Sequence, residues 1–580
     1  MKIERFQMGL LDRRQFLTAA GIAGASTATA RASAAIARPD WSALKARLGE
    51  RLQPVRSPLV AARSSAAGVD ALFANLKNPY FIGDDPALTQ TLGWTDAWTS
   101  QPSSYVVAAQ SAADVAAAVD FARTSGVRLV VKGGGHSYFG NSNAANSLLL
   151  WTKKLDRIEQ HEAFVPTGAP PATRGEAAVS VGAGCLWGRV YHETMVKHGR
   201  YVQGGGCLTV GVAGFVQGGG FGSLSKAFGT GASNLLEAEV VTADGRVRIV
   251  NPWRDPELFF ALSGGSGGTF GIVTRLTMRT HELPAEIGAA LFEVTARDER
   301  SWRALVERTM AHYADHLFNP HWGEQIRFER RTMSVAMVSQ GLDKAQIERA
   351  WKPLFDWIKA QGDDYALAGE PLLLAIPARQ FWNPAFLKSL PGVVLSDNRP
   401  GASADNVFWA GNLSETGQVL HAYKSRWIPQ RLLRDAGRKR LVDAILAGAA
   451  EWSVSLHMNK GLAGGDAAQV GRVRSTATNP AVLDAFALVI VAAEGPPAWP
   501  GIAGHEPDLA TGRADAAGVA RAFAPFERLV PGGGCYVSEA DYFGRDWRSA
   551  YWGSNYGRLL RAKRRYDPAN FFRGHHTVGT

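Results

Sequence analysis

The sequence predicts an α+β protein with a glycine-rich first domain and a second domain made of an antiparallel sheet backed by helices. A strand-like run at Tyr105 is followed by an Ala-rich helix over 112–124 and by a strand over Val127–Val131. Residues 283–530 alternate strand-like runs with amphipathic helices. The chain also holds 63 glycines, well above the ordinary share of about 7%. They are bunched in three segments: 133–140, 204–231 and 264–271.

Length and composition set the broad class of the protein. At 580 residues the chain is too long for one core and long enough for two or three domains. Hydrophobic residues at 46% and charged residues at 20% indicate a folded, soluble protein. The net charge of +11 predicts only weak attraction for anions, and no nucleic-acid partner is expected because the basic run at 558–565 fits a solvated helix face.

The first residues predict export. Arg13 and Arg14 are followed by Phe16 and Leu17, an Ala- and Gly-rich run and small residues near position 34. This pattern indicates a twin-arginine signal peptide over 1–34, a bacterial Tat export machinery as partner and a periplasmic or secreted location. The alternative is an ordinary first helix that carries two arginines. No later stretch reaches about 20 apolar residues, so no mature membrane span is expected.

The rest of the chain is divided by its local patterns. Residues 35–95 are helical in character and form an N-terminal extension, and the first domain runs over 96–282. In that domain a hairpin is predicted at Ala243-Asp-Gly-Arg. Further strands of this domain are predicted at Leu148–Trp151, Ala178–Val181, Glu237–Val241 and Val247–Val250. The second domain covers 283–530, with helices predicted at 301–316, 343–360 and 435–450, and the closing segment covers 531–580.

Cysteine and histidine positions argue against a metal or a disulfide framework. The chain has only three cysteines, Cys185, Cys207 and Cys535, and no zinc-type CxxC or HExxH spacing. No metal is therefore expected.

The three glycine-rich segments predict a long ligand. The turn after Val127–Val131 can gather bare N–H groups into a nest that suits a pyrophosphate. The segment 263–273 leads into a strand, so it is not a Rossmann turn. With the third segment at 204–222, three such turns in one domain indicate a ligand that has phosphates and a flat ring.

Two motifs and the closing segment resemble a known family. The motifs are Lys132-Gly-Gly-Gly-His136-Ser-Tyr-Phe-Gly140 and Gly204-Gly-Gly-Cys207-Leu-Thr-Val-Gly211, about 70 residues apart. The closing segment carries Tyr551-Trp-Gly, Asn555-Tyr556 and Lys563 to Phe572. The sequence thereby resembles vanillyl-alcohol-oxidase-type FAD proteins with a two-subdomain PCMH-type FAD-binding domain, in the berberine-bridge-enzyme-like branch. The resemblance covers nearly the whole mature chain.

The resemblance implies a covalently bound FAD. It places His136 where the family bonds the flavin 8α-methyl and Cys207 where the family bonds C6, although Leu208 replaces the usual proline. Further residues that the resemblance and the glycine turns place at the cofactor are Lys132, Gly133, Gly134, Gly135, Ser137, Tyr138, Val210, Gly211, Gly214, Gly219, Gly220, Gly222, Asn234, Gly267, Gly268, Gly271, Ile272, Asn555 and Tyr556.

Two positions refine this expectation. Val210 stands where the family carries valine or leucine, and the smaller residue leaves room for dioxygen beside the flavin, which favours an oxidase; the alternative is simple core packing. Phe215 stands where the family has a histidine directed at the flavin N1 side. A phenyl ring cannot donate a hydrogen bond, so the alternatives are that Lys132, a backbone amide or no group at all takes the place of that histidine.

A proton acceptor is predicted near the flavin. Many relatives use the second tyrosine of a Tyr-x-Asn-Tyr motif, and the aligned stretch puts Glu539 in that place. A carboxylate desolvated against a flavin would have a raised pKa and serve as a base. Asp541 and Tyr536 are the alternatives, and the remaining one is a structural carboxylate. For the substrate pocket, the candidates are Gln325 and Arg327, which share a strand face, and His457.

These observations predict an exported FAD-dependent oxidase. It would take a hydride from an alcohol- or amine-bearing carbon and pass electrons to dioxygen, giving hydrogen peroxide. The small-molecule substrate is either a reducing sugar or oligosaccharide, or a phenolic or alkaloid-like metabolite. The alternatives are a periplasmic dehydrogenase that uses a quinone or cytochrome, and a flavin-loaded binding or storage protein without turnover.

Overall fold

The computed structural model describes residues 39–65 and 67–580. The predicted signal peptide, residues 1–34, and the first residues of the predicted extension lie outside the described residues. Residues from Pro39 to Thr580 group into one unit by their contacts. Within the described part, none of the helices is both long and apolar enough to span a membrane.

The first sheet has four strands. Their order is Leu52–Pro54, Tyr105–Ala108, Ser147–Trp151 and Arg128–Lys132, and the last three are parallel. Helix Ala112–Thr124 connects two of them, and it begins where the Ser111 hydroxyl accepts a hydrogen bond from the Asp114 N–H. Strand Arg128–Lys132 therefore ends directly at the first glycine-rich turn.

The second sheet is antiparallel and has six strands. Val241 pairs with Val247, which confirms the predicted hairpin. The strand order is Val247–Val250, Leu235–Val241, Ile272–Glu282, Glu176–Gly182 and Ile158–Phe164, with Arg200–Val202 also paired to Ile272–Glu282. Strand Ile272–Glu282 follows the glycine-rich segment at 264–271, so this sheet positions the second predicted nest.

The third and largest sheet has ten strands. Their order is Tyr365–Leu367, Glu286–Ala296, Thr332–Gln340, Trp322–Glu329, Val454–His457, Ala485–Gly495, Gln418–Pro429, Thr91–Trp94 and Trp98–Thr99, with Leu372–Pro377 also paired to Glu286–Ala296. All pairs are antiparallel except that between Thr91–Trp94 and Gln418–Pro429. Thr91–Trp94, from the predicted N-terminal extension, is buried at all four residues and extends this sheet. A separate pair of short strands joins Val394–Ser396 to Val407–Trp409.

Helices Glu299–His312 and Lys344–Ala360 of the second domain begin at capping boxes. The Asp298 and Asp343 carboxylates each accept a hydrogen bond from a backbone N–H three residues on, and the side chains there return the bond. The α-helices are Trp41–Leu48, Pro58–Ala62, Val69–Asn75, Pro79–Asp84, Ala112–Thr124, Trp187–Tyr191, Val212–Gln217, Ser225–Phe228, Pro256–Leu262, Glu299–His312, Lys344–Ala360, Ala378–Phe381, Pro384–Lys388, Asp435–Ala449, Ala467–Val473, Leu509–Leu529, Trp547–Trp552 and Tyr556–Tyr566. Short π-helices cover His192–Lys197 and Tyr313–Leu317.

The two faces of the large sheet pack against different partners. Along strand Ala485–Gly495, Val489 and Val491 pack into the core formed with the long helices. Leu488 and Ile490 alternate with them and pack into the core shared with the second sheet and the closing segment. The face that carries Leu488 and Ile490 therefore turns towards the glycine-rich domain.

Candidate active site

The two predicted attachment turns are in backbone contact. A Cβ placed on Gly134 would lie 2.6 Å from the Gly211 nitrogen, and one placed on Gly211 would lie 2.6 Å from the Gly134 nitrogen. No side chain fits between backbones this close, so both positions require glycine. The contact brings the turn that carries His136 against the turn that carries Cys207.

Thr209 joins the two predicted attachment residues. The His136 Nε2 lies 3.1 Å from the Thr209 carbonyl oxygen and 3.3 Å from its hydroxyl. The Cys207 sulfur lies 3.4 Å from the same hydroxyl. His136 and Cys207 are both half-buried, whereas Thr209 is only 3% exposed. The structure thus brings the predicted pair together around one buried threonine.

Burial sets the protonation of both groups. It lowers the pKa of His136 to about 4, so the imidazole is neutral at neutral pH. Burial, with the Glu415 carboxylate, raises the pKa of the Cys207 thiol above its usual range. The hydroxyl of Thr209 and the N–H groups of Thr209 and Val210 act against that rise.

The three glycine-rich segments converge, as their ligand requires. A Cβ on Gly267 would lie 3.7 Å from the Gly214 Cα, and one on Gly268 would lie 3.8 Å from a methyl of Val131. Gly219 and Gly220 have φ of 108° and 76°, conformations that favour glycine. The remaining predicted positions, Gly133, Gly135, Ser137, Val210, Gly222, Gly271 and Ile272, lie in these turns or where they meet the sheets.

Phe215 packs beneath the turns. A Cβ added to Gly205, Gly220 or Gly231 would lie 2.8, 2.5 or 3.0 Å from its ring, and Trp187 meets it edge-on at 5.1 Å. The Phe215 ring, which stands where the resembled family has a histidine, is therefore held by glycines at two of its edges. This packing accounts for part of the glycine cluster that the sequence shows between 204 and 231.

Several predicted cofactor residues have side chains that are already occupied. The Lys132 ammonium donates to three carbonyls, those of Asp85, Pro86 and Leu88, at 2.8 to 2.9 Å. Burial lowers its pKa to about 7. No N–H of Lys132 remains to replace the missing histidine, so the expectation that it serves there is corrected.

Asn234, Asn555 and Tyr556 are also bonded to the protein. The Asn234 amide donates to the Phe228 and Thr230 carbonyls at 2.8 Å, and its oxygen meets His281. The Asn555 amide donates to the Thr478 carbonyl at 2.9 Å. The Tyr556 hydroxyl accepts from Arg548 at 3.2 Å. These three side chains stabilise the local fold.

The turns fit an FAD. The Gln217 Oε1 and the Thr478 Oγ1 are buried and have no partner among the described residues. Thr478 Oγ1 would lie 3.2 and 2.8 Å from a Cβ on Gly219 and Gly264, and Gln217 lies beside Gly267. A dinucleotide has phosphates and polar groups that bind backbone N–H groups and polar side-chain atoms. Glycine turns that lie close together, with buried polar atoms beside them, provide both.

The wall opposite these turns carries charged side chains. The Lys460 ammonium contacts both oxygens of Glu539, at 2.7 and 2.5 Å. Glu324, a non-glycine residue with φ of 67°, accepts from Ser223 and from Asn459. Its Oε1 would lie 3.8 Å from a Cβ on Gly206, so this wall reaches the residue next to Cys207.

The carboxylates of this wall differ in their environment. Burial raises the pKa of Glu324 above its usual range. Desolvation of its carboxyl group by the surrounding protein atoms, and next the neighbouring Glu539, raise the pKa of Glu415 to about 7, although the residue as a whole is exposed. Glu539 is held in an ion pair with Lys460, whereas the sequence predicts only a carboxylate desolvated against a flavin. The sequence did not single out Glu324 or Glu415.

Two tyrosines connect the walls. Tyr138 follows His136 in the first turn, Tyr423 lies on strand Gln418–Pro429, and their ring centroids are 5.2 Å apart. Burial, and after it the carboxylates Glu415 and Glu539, raise the pKa of Tyr138 well above its usual range. Both hydroxyls therefore remain protonated and are able to donate a hydrogen bond.

The two alternatives to Glu539 make different contacts. Asp541 pairs with Lys424 at 2.9 Å, and Lys424 points to the opposite face of its strand from Tyr423. Tyr536 is buried, meets Phe221 edge-on at 5.0 Å, and would lie 3.8 Å from a Cβ on Gly219. Of the three predicted residues, Glu539 is the one whose side chain meets the charged wall.

The predicted substrate residues are neighbours in the large sheet. Gln325 is paired across the strands with His457, and Arg327 with Ser455, whose hydroxyl donates to Gln325 at 2.7 Å. Burial and the cations of Lys460 and Arg327 lower the pKa of His457 well below its usual range. His457 is thus a neutral neighbour of Lys460, whereas Arg327 is exposed.

The remaining sequence expectations concern metals and disulfides. Cys185, Cys207 and Cys535 are all unpaired. Across residues 39–65 and 67–580, no group of three His, Cys, Asp or Glu side chains is arranged to hold a metal ion.

Two family models match parts of the chain. A model described as FAD binding domain matches residues 103–251, and one described as berberine and berberine like matches residues 535–579. A VAO-type flavoprotein oxidase of Thermothelomyces thermophilus is 29% identical over 81% of this chain and 75% of its own length. An uncharacterized FAD-linked oxidoreductase of Arthroderma benhamiae is 28% identical over 82% of this chain and 77% of its own.

Solved structures share the fold. A VAO-type flavoprotein from Myceliophthora thermophila matches with a TM-score of 0.73 at 24% identity, over 93% of this chain and 94% of that one. A glucooligosaccharide oxidase from Acremonium strictum, described with a 6-S-cysteinyl, 8α-N1-histidyl FAD, matches with a TM-score of 0.63 at 20% identity, over 82% and 92%.

The fold and the domain match define the class of the protein. Its fold is that of the VAO- and PCMH-type flavoproteins, an α+β arrangement as the sequence predicts. The protein is an FAD-dependent oxidoreductase. The closing-segment match and the relatives support the berberine-like branch within that class.

Proposed function

We propose that this protein is an exported oxidase that holds FAD through His136 and Cys207. It would act on a small molecule with an oxidisable alcohol or amine and use dioxygen as acceptor. Two observations support the proposal: both attachment residues contact Thr209, and the charged wall that contains the Lys460–Glu539 ion pair reaches, through Glu324, the residue next to Cys207. One wall thereby offers two attachment atoms, and the other offers a base.

The residues of the two walls have different proposed roles. When bound, FAD supplies the hydride acceptor. His136 is neutral at neutral pH, so its unprotonated ring nitrogen is available for a bond. The backbone contact between Gly134 and Gly211 holds the two attachment turns together. Gln217 and Thr478 offer buried polar atoms to its polar groups.

Glu539 is the proposed base. Its carboxylate is held by the Lys460 ammonium at 2.5 Å and would accept a proton from the substrate hydroxyl or amine. Tyr138 and Tyr423, both protonated, can donate hydrogen bonds to the substrate oxygen. Gln325 and His457 are proposed to line the substrate side beyond Lys460.

Electron transfer to dioxygen is supported by Val210. Its side chain is half-buried, and its backbone closes the turn by donating from its N–H to the Cys207 carbonyl at 3.4 Å. A small residue at this position leaves space beside the ring edge that Cys207 would hold. Release of hydrogen peroxide follows if dioxygen is the acceptor.

The substrate proposal has two branches. The structural neighbours include oxidases named for glucooligosaccharides and chitooligosaccharides, which supports a sugar or oligosaccharide. Sequence relatives include a bifunctional decalin synthase, which supports a secondary metabolite. Hydroxyl-donating tyrosines and carboxylates serve either branch.

The deciding experiment starts with the absorption spectrum of the purified protein before and after acid precipitation. Colour that stays in the redissolved pellet is expected, with a shifted, weakly fluorescent spectrum from the cysteinyl bond. Colour in the supernatant would contradict covalent attachment. Anaerobic reduction with panels of sugars and phenolic metabolites, followed by air, is expected to give fast reoxidation and peroxide. Slow reoxidation would identify a dehydrogenase, and no reduction by any donor would favour a binding protein.

Export is proposed from Arg13 and Arg14. Replacement of both by Lys is expected to retain the folded, coloured protein in the cytoplasm of a bacterial host, because the twin-arginine pair is what the export route reads. Cell fractionation measures this, with the unchanged chain as control. Equal export of the Lys variant would contradict the proposal.

A further inference from the structure

Thr209 touches both proposed attachment residues with different atoms. Its carbonyl oxygen lies 3.1 Å from the His136 Nε2. Its hydroxyl lies 3.3 Å from the same nitrogen and 3.4 Å from the Cys207 sulfur. A carbonyl can only accept, so the proton of the neutral imidazole must be on Nε2. The Nδ1 lone pair is then the free one.

The proton on His136 Nε2 also determines the role of the Thr209 hydroxyl. Because Nε2 carries the proton, the Thr209 hydroxyl accepts from it and its own O–H is free to point elsewhere. The sulfur of Cys207 is the other group in contact with that hydroxyl. Donation to sulfur favours the thiolate, which is the nucleophilic form of cysteine.

We propose that Thr209 is the positioning residue for double attachment of the flavin: its carbonyl leaves His136 Nδ1 free to bond, and its hydroxyl prepares the Cys207 sulfur. This inference rests on the proposed covalent FAD. Attachment of His136 would form an Nδ1–C bond, break a C–H bond of the flavin and release the Nε2 proton, and attachment of Cys207 would replace an S–H and a C–H bond by one S–C bond. Two protons and two electrons leave in each case, and dioxygen takes them up as hydrogen peroxide.

The surroundings make this role specific to Thr209. It is 3% exposed and lies between Cys207 and Gly211, in the turn locked by the backbone contact with Gly134. Burial opposes ionisation of Cys207, and the Thr209 hydroxyl is one of the few groups that favours it. Removing the hydroxyl alone would leave the carbonyl, and with it the His136 tautomer, unchanged.

The test measures the cysteinyl bond and the histidyl bond independently. Thr209→Val removes the hydroxyl and keeps the shape, and Thr209→Ser restores the hydroxyl. After denaturation, alkylation of Cys207 measures its free thiol, with Cys185 and Cys535 of the same chain as fully reactive references. Thr242→Val, equally buried in the same domain, is the matched control.

We expect Cys207 to be blocked in the parent, in Thr209→Ser and in Thr242→Val. In Thr209→Val we expect blocking on incubation with FAD in air to slow at least tenfold, while the acid pellet stays yellow through His136. The histidyl bond, read by NMR of the isolated flavin peptide, is expected at Nδ1.

The contrary results are distinct. Blocking of Cys207 in Thr209→Val at the parent's rate would overturn the role of the hydroxyl, and attachment through Nε2 would overturn that of the carbonyl. A Cys207 that alkylates fully in the parent would instead overturn the proposed cysteinyl bond. If Thr209→Val does not fold, the blocking rates of Thr209→Ser and Thr209→Ala decide the question in the same way.

Discussion

The two walls of the cleft are built in different ways. The wall proposed to hold the flavin consists of backbone: turns at Gly134, Gly211 and Gly267 that approach within contact distance of one another. The opposite wall consists of side chains from separate elements, with Glu539 and Lys460 at its centre. A wall of backbone is sensitive to added volume, whereas a wall of side chains is sensitive to a change of charge.

The largest effect is expected on the side-chain wall. Glu539→Gln keeps the size of the side chain but cannot accept a proton, and it leaves Lys460 without its anionic partner. We expect the rate of flavin reduction to fall by about 10²- to 10⁴-fold, the usual contribution of a general base. Rapid-mixing absorbance under anaerobic conditions measures it. A rate within a few-fold of the parent would show that Glu539 is not the base.

The next largest effect is expected from a substitution that adds volume to the backbone wall. Gly211→Ala puts a Cβ 2.6 Å from the Gly134 nitrogen, and neither backbone can move without separating the attachment turns. We expect a loss of about 1–3 kcal/mol in stability, the usual cost of overpacking, and less covalent flavin. Thermal unfolding and pellet colour measure these effects. Gly471→Ala, in helix Ala467–Val473 and outside the predicted cofactor residues, is the control, because nothing lies within 4 Å of its added Cβ. Equal behaviour of the two variants would contradict the close contact.

A third effect concerns pH. The pKa of Glu415 is raised from 4.5 to about 7 by desolvation of its carboxyl group, and next by Glu539, while Lys460 opposes the rise. The Glu415 carboxyl therefore ionises above about pH 4.5 in the unfolded chain but only near pH 7 in the folded state. The stability linked to Glu415 is fully present below pH 4.5 and is lost as pH rises to about 7.

Glu415→Gln removes this dependence. We expect its melting temperature to rise relative to the parent between pH 4.5 and 7, and the difference to stay constant above pH 7. Thermal unfolding of both proteins across pH 4.5–8.5 measures it. A constant difference over the whole range would show that Glu415 does not titrate there.

The contrast between the walls also explains what the sequence could predict. The glycine turns are contiguous in the chain, because a ligand that contacts backbone needs a run of bare residues, so His136 and Cys207 stood out. Glu324, Glu415 and Tyr423 come from two strands and a loop, and only the pairing of the large sheet places them near Lys460. Lys460 lies three residues after His457, a predicted substrate residue. No local sequence pattern indicates that Lys460 pairs with Glu539.

The fold shows the same limit. The strand, helix and strand from Tyr105 and the hairpin at 243–246 follow from local pattern, and the structure confirms them. Helix Leu509–Leu529 was not predicted because it contains two glycines and Pro525, which weaken the helical signal. Strand Thr91–Trp94 has too few residues to show a period, and its place in the large sheet depends on a parallel partner more than 300 residues away.

The smallest effect is expected at Asp541, two residues after Glu539, where the largest effect is expected. Asp541 pairs with Lys424 at 2.9 Å, with about a quarter of each side chain exposed. This pair has the same charges as Glu539 with Lys460, but it lies on the opposite face of the strand, towards helix Leu509–Leu529. Asp541→Asn is therefore expected to change the flavin reduction rate less than about threefold and stability by at most about 1 kcal/mol. If Asp541→Asn slowed reduction as much as Glu539→Gln, the base would have to be sought in the whole 536–541 segment, and the division between the two faces would be wrong.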